Sequence, residues 1–134
     1  MSFVIDASIV AGLAFGEAPS PKIAFAIDQL ALTEAVAPVL FFFEVRNALV
    51  VNERRGRTTP EGSADFLRRL TGLAIRLAPL PDDGELMALA RKRKLTVYDA
   101  AYLELAKREG LPLATVDRGL EKAAVAEGVA LFGA

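Results

Sequence analysis

Short apolar runs alternate with helix-length segments along this chain, and that alternation constrains its fold more than any other feature. Phe3-Val4-Ile5 is a continuous, partly β-branched run that reads as a buried strand ending at Asp6. Ala7 to Phe15 follows as a helix stopped by Gly16. After the break at Pro19-Ser20-Pro21, a second helix runs from Lys22 to Leu32. Glu34 to Pro38 reads as a strand, and Val39 to Arg55 as a long helix ended by Gly56. Thr59-Pro60-Glu61 supplies an N-cap, a first-turn proline and an acidic first turn for a helix reaching about Leu73. Ile75 to Leu80 is a third strand, and Asp82-Asp83 cap a helix from Gly84 to Lys92. A further helix runs from Asp99 to Glu109 with Gly110 as its stop. Leu113 to Val116 is a strand, a helix begins at Asp117 and stops at Gly128, and Val129 to Phe132 is the last strand. Strands alternating with helices predict an α/β fold with a parallel sheet covered on both faces. At 134 residues the chain is the size of one domain, 1–134, with enough core to fold without disulfides.

The residue inventory narrows the chemistry. The chain has no Cys and no His. This excludes thiol nucleophiles, zinc-thiolate sites and the commonest general base at neutral pH. Any hydrolysis must rest on carboxylates, hydroxyls, Lys, Arg or a metal-activated water. The first residues lack a basic region ahead of an apolar run, so no secretory signal is expected. No apolar stretch is long enough to span a bilayer, and a cytoplasmic location is expected. A net charge of −1 gives no global attraction to nucleic acid. Local basic clusters occur at Arg54-Arg55-Gly56-Arg57, Arg68-Arg69 and Arg91-Lys92-Arg93-Lys94. Each is a solvated surface or a phosphate contact. Hydrophobic residues make up 53% of the chain, which hints at apolar surface left for a partner or a second copy.

Four acids stand out by position. In open α/β sheets ligands bind beyond the carboxyl ends of the strands. Asp6 directly follows the first strand and Asp117 the Leu113–Val116 strand, although each would also serve as an N-cap for the next helix. Glu44 lies within an apolar helix, on a face with Leu40, Phe41, Asn47, Ala48 and Val51. A carboxylate there needs a metal, a cluster or a buried basic partner. Asp99 shares a face with Tyr102, Leu103 and Ala106, at the top of a buried stripe or as an N-cap. Together the four suit a hard divalent cation, since packed acids repel unless a cation neutralises them. Ser8 can bind a metal water or a phosphate, or bond backbone in its turn; Thr115 can orient Asp117, or simply pack in the strand. Phe41, Phe42 and Phe43 cannot all enter one core, so one is expected to face a partner.

These residues resemble the motifs of PIN-domain proteins. Val4-Ile5-Asp6-Ala7-Ser8 resembles the opening motif, and Pro38 followed by Phe43-Glu44-Val45-Arg46-Asn47-Ala48-Leu49 the second. Leu95 to Ala106 around Asp99 resembles the third, and Leu113 to Leu120 around Asp117 the fourth. The chain is similar over nearly its whole length to the toxin ribonucleases of VapBC-type toxin–antitoxin pairs. The resemblance implies a single three-layer α/β/α domain with a parallel sheet and an Mg²⁺ or Mn²⁺ site. It assigns Asp6, Glu44, Asp99 and Asp117 to the four acidic positions, with Ser8 and Thr115 as auxiliary hydroxyls. It further implies endoribonuclease activity that restrains growth or translation, an RNA substrate such as tRNA or rRNA, a VapB-like antitoxin and a homodimer. Arg54, Arg55, Arg57, Arg91, Lys92, Arg93 and Lys94 are then candidate RNA-backbone contacts. An aspartyl-nucleophile phosphatase wants a second acid where Ser8 stands. A receiver domain wants a Lys after a late strand, where Gly133-Ala134 stand. The reading from another class is a catalytically silent PIN-like module acting through an antitoxin or DNA-binding partner.

Overall fold

The computed structural model describes residues 1–15 and 20–133. The expected helix stop at Gly16 and the break at Pro19 lie outside those residues. The elements run β1 (Phe3–Ile5), α1 (Ala7–Ala14), α2 (Pro21–Gln29), β2 (Ala35–Ala37), α3 (Leu40–Arg54) and α4 (Pro60–Thr71). They continue with β3 (Ile75–Leu77), α5 (Asp83–Arg93), α6 (Val97–Glu109), β4 (Leu113–Ala114) and α7 (Arg118–Ala126). The four strands form one parallel sheet in the order β3-β2-β1-β4, with Val4 opposite Val36 on one side and Leu113 on the other. β1, β2 and β4 are buried throughout, as their unbroken apolar runs require of strands covered on both faces. This is the expected three-layer α/β/α architecture. β3 is the edge strand; its Arg76 is exposed and pairs with Glu34 at 3.4 Å, a charge that discourages further strand pairing.

The helix starts follow capping chemistry. Ser20, Thr59 and Asp82 accept from the backbone N–H groups of Ile23, Gly62 and Glu85, and Pro21 and Pro60 occupy first-turn positions where no N–H is needed. Gly110 ends α6 at φ 66°, a left-handed conformation that glycine enters without a Cβ clash. α6 packs against β1, β4, α5 and α7, and Ala100 to Ala106 are buried on every side. Three of those seven residues are alanines, which lets the backbone approach the sheet. Glu104 is buried among them with both oxygens held by Arg108, at 3.0 and 3.1 Å.

Several boundaries differ from expectation. α6 begins at Val97, not Asp99, because Thr96 Oγ1 accepts from the Asp99 N–H at 3.1 Å; Asp99 is therefore inside the first turn and is not the cap. β3 ends at Leu77: Ala78 N–H makes the last bond to β2, at Ala37 O, and β2 runs into Pro38. The expected strand Val129–Phe132 is reduced to one parallel bridge, Leu113 with Leu131. That segment docks instead through the Phe132 ring, stacked on Phe3 with centroids 4.1 Å apart. Of the three consecutive phenylalanines, Phe41 enters the core, whereas Phe42 and Phe43 stay at the surface. Among the described residues, no helix is long and apolar enough to cross a membrane.

Candidate acidic site

Strand order sets the location of the site. The chain leaves β1 for β2 on one side, and β4 returns on the other, so the β1/β4 boundary is the topological switch point where α/β sheets open a ligand crevice. Asp6 ends β1, and Thr115 and Asp117 follow β4. The Asp6 N–H bonds Ala114 O at 2.9 Å, which locks the two strand ends in register.

Asp6 is buried, and two hydroxyls converge on its Oδ2: Ser8 Oγ donates at 2.6 Å and Thr115 Oγ1 at 2.7 Å. Each hydroxyl accepts from the backbone in turn, Ser8 from the Val116 N–H at 3.2 Å and Thr115 from the Asp117 N–H at 3.0 Å. Among the described residues, no side chain donates to Oδ1. Asp6 stands at the N-cap of α1 without a side-chain capping bond, so the capping reading does not describe it. Asp117 does cap α7, accepting the Leu120 N–H on Oδ1 at 2.8 Å. The sequence left Thr115 either to orient the Asp117 carboxylate or to pack in the strand; its hydroxyl instead donates to Asp6, because β4 pairs with β1 and brings it there, and meets Asp117 only through the backbone N–H.

Glu44 sits at the margin of the α3 stripe formed by Phe41, Val45, Leu49 and Asn52, half-buried rather than on a wholly apolar face. Its partner is Tyr102 of α6, whose Oη donates to Oε1 at 2.6 Å. Asp99 projects from the first turn of α6, and among the described residues no side chain donates to it.

The four carboxylates share one electrostatic neighbourhood. Burial pushes the Asp6 carboxyl above its ordinary value against the hydrogen bonds of Ser8 and Thr115, and the charge of Asp117 pushes it further. Burial raises Glu44 against the Tyr102 bond, with added repulsion from Asp6 and Asp99. Burial also raises Asp99, with repulsion from Asp117 and Asp6. Asp6 and Asp99 thus occupy the middle of the group, with Glu44 and Asp117 on its flanks. Among the described residues none of the four has a basic partner; every ion pair of the molecule uses another acid.

The donor set is all oxygen, as hard divalent cations require. Among the described residues, no three acids converge closely enough to coordinate one ion as they stand. An Mg²⁺-like ion keeps several waters beside one or two carboxylates, so it does not need three acids in direct contact. The residues therefore fit a hydrated divalent ion.

The basic clusters divide. Arg54, Arg55 and Arg57 are exposed and make no ion pair among the described residues. Arg54 lies about 15 Å along α3 from Glu44. In the second cluster Lys92 and Arg93 bind Glu127, together with Lys107, and Arg91 and Lys94 make no ion pair among the described residues. These cations pull the Glu127 carboxyl down to about 2 against its own burial, Lys107 contributing most. Arg68 pairs with Asp65 on α4. Tyr102 is the site residue that sequence reasoning missed: its place on the Asp99 face was legible, but its bond to an acid 58 positions away was not.

Comparison with known proteins places these motifs. The family described as the PIN domain matches residues 3–126. The chain is 34% identical to Ribonuclease VapC3 of Pyrobaculum aerophilum over 123 residues, covering 90% of this chain and 92% of that protein. It is 33% identical to Exonuclease VapC9 of the same organism over 81 residues, 60% of each chain. Among solved structures it is similar to PAE2754 from Pyrobaculum aerophilum, with TM-score 0.74 and 27% identity over 92% of this chain and 84% of that one. It shares its fold with FitAcB from Neisseria gonorrhoeae, with TM-score 0.68 and 19% identity over 98% of this chain and 96% of that one.

Proposed function

Because this chain belongs to the PIN-domain family, we propose that its acidic edge is the active site of an Mg²⁺- or Mn²⁺-dependent endoribonuclease, the toxin of a type II toxin–antitoxin pair. The observation that carries the reading is the gathering of Asp6, Glu44, Asp99 and Asp117 at the switch point, with the proton affinity of Asp6, Glu44 and Asp99 raised by burial and, among the described residues, no basic partner for any of the four. Such a group costs folding free energy and needs a cation to offset it. Support for RNA comes from the name of the 34%-identical relative.

In this reading Asp6, Glu44 and Asp99 hold an ion directly or through water, and Asp117 completes the site. A bound divalent ion would supply the positive charge that acidifies an attacking water and stabilises the departing oxygen. Ser8 and Thr115 fix Asp6 by Oδ2 and, among the described residues, leave Oδ1 without a side-chain donor. Attack in line on phosphorus breaks the bond to the 3′ oxygen and leaves a 5′-phosphate and a 3′-hydroxyl. Arg54, Arg55, Arg57, Arg91 and Lys94 are proposed backbone contacts, with Lys92 and Arg93 secondary because Glu127 already engages them. A VapB-like antitoxin would find an apolar groove lined by Val10, Leu13, Ile27, Phe66, Leu70 and Leu73, and exposed Phe43 suits a homodimer contact.

The test is cleavage of end-labelled RNA by the purified chain with Mg²⁺ or Mn²⁺, with EDTA, and as Asp6→Asn. Internal cuts that need both metal and Asp6 and carry 5′-phosphates support the proposal. Mononucleotides released from one end would favour the activity that Exonuclease VapC9 is named for, and 2′,3′-cyclic phosphates would rule out the mechanism. One observation favours a catalytically silent module acting through an antitoxin: the absence, among the described residues, of three converging acids. Folded protein that binds Mn²⁺ but cuts no RNA would favour that reading.

A further inference from the structure

Tyr102 is completely buried in the middle of α6, where a phenylalanine would fill the same space. A buried phenolic hydroxyl must find a partner, and this one is spent on Glu44, in an acidic group that has no basic residue to steady it. Glu44 is half-buried on a different helix, with a long side chain and two neighbouring carboxylates that repel it. Left alone, its side chain would swing toward solvent and away from Asp6 and Asp99. The Tyr102 bond opposes that repulsion and spans α3 and α6 at the point where the site is assembled. It takes up Oε1, while among the described residues no side chain donates to Oε2.

The same arrangement recurs at Asp6, where Ser8 and Thr115 grip Oδ2 and leave Oδ1 without a side-chain donor. Two acids from different elements are thus each held by one oxygen through neutral hydroxyls. A neutral donor fixes a carboxylate without cancelling the charge that a cation would meet. An Arg or Lys in the place of Tyr102 would cancel it.

We propose that Tyr102 is a positioning residue of the acidic site, holding Glu44 beside Asp6 and Asp99 with Oε2 presented to the crevice. The inference rests on the metal-site reading above. Partners of metal-ligating groups typically contribute a factor of about 10–100 in metal affinity or activity.

The experiment compares the intact chain, Tyr102→Phe and Asp6→Asn by calorimetric titration with Mn²⁺ and by RNA cleavage kinetics. Tyr102→Phe should bind Mn²⁺ about 10-fold more weakly and lose a similar factor in kcat, with KM for RNA unchanged because the ring touches no substrate. If Tyr102→Phe matches the intact chain in Mn²⁺ affinity and kcat while Asp6→Asn fails in both, Tyr102 is a packing residue and the inference is wrong. If Asp6→Asn binds Mn²⁺ as well as the intact chain, the acid site itself is wrong. A second measurement needs no variant at position 102. The chain has two tyrosines, so 3-fluorotyrosine labelling gives two ¹⁹F resonances, assigned with Tyr98→Phe. Mg²⁺ should shift the Tyr102 resonance; an unmoved resonance in protein that binds Mg²⁺ through Asp6 contradicts the proposal.

Discussion

Asp6 carries the clearest conflict between stability and chemistry in this chain. Its carboxyl, with those of Glu44 and Asp99, is raised above the ordinary values of 3.8 for Asp and 4.5 for Glu. A raised carboxyl contributes stability that is present below its unfolded pKa and lost as pH rises through its folded pKa. The metal-free chain should therefore lose stability as pH climbs from about 4 toward neutrality. Added Mn²⁺ should restore it, and melting curves between pH 4 and 8 with and without Mn²⁺ will show both effects. Asp6→Asn should melt a few degrees higher than the metal-free parent at neutral pH while losing cleavage by about 100-fold or more. Thr115→Val removes one of the two hydroxyls on Oδ2 and keeps the shape of the side chain. It should lower cleavage by about 10-fold with little change in RNA KM, measured by steady-state kinetics. The positions of Asp6 and Asp117 were legible because each directly follows an apolar run, and strand ends define the ligand edge. The partners of these acids were not legible: whether Thr115 serves Asp117 or Asp6 depends on β4 lying beside β1, a pairing of residues over a hundred positions apart.

At the scale of elements, capping chemistry was readable and strand length was not. Thr59-Pro60 and Asp82 start α4 and α5 where the sequence indicates. Asp99 misled because Asp is a good cap, yet Thr96, three residues earlier, takes the role and leaves the carboxylate for the site. The last apolar run, Val129 to Phe132, has the composition of a strand but is stopped by Gly133 at φ 76° after one bridge, and its Phe132 ring does the packing. The ends of α5, α6 and α7 are tied by Lys92, Arg93 and Lys107 around Glu127. Because the Glu127 carboxyl is depressed to about 2, its stabilisation is present above the ordinary 4.5 and fades as pH falls toward 2. Glu127→Gln should cost roughly 1–3 kcal/mol at neutral pH, and less below pH 4, by urea denaturation. Cleavage by this variant should stay near the parent value, since α7 places Glu127 about 15 Å from Asp117.

For the whole molecule, the parallel sheet and its switch point convert four acids scattered between positions 6 and 117 into one electrostatic group. The chain's net charge of −1 gives RNA no general attraction, so the proposed RNA binding relies on the local basic clusters. Arg54, Arg55 and Arg57 changed together to Ala should weaken RNA binding and reduce its salt dependence while leaving Mn²⁺ affinity unchanged. Filter binding across a salt series measures this. The central claim is that Asp6, Glu44, Asp99 and Asp117 form one cation site. Anomalous diffraction from Mn²⁺-soaked crystals tests it most directly. The account predicts a peak among these side chains, with Asp6 Oδ1 as a direct or water-bridged neighbour, that vanishes in Asp6→Asn. A Mn²⁺ peak bound elsewhere, or no peak at this edge with the four carboxylates ordered, contradicts it.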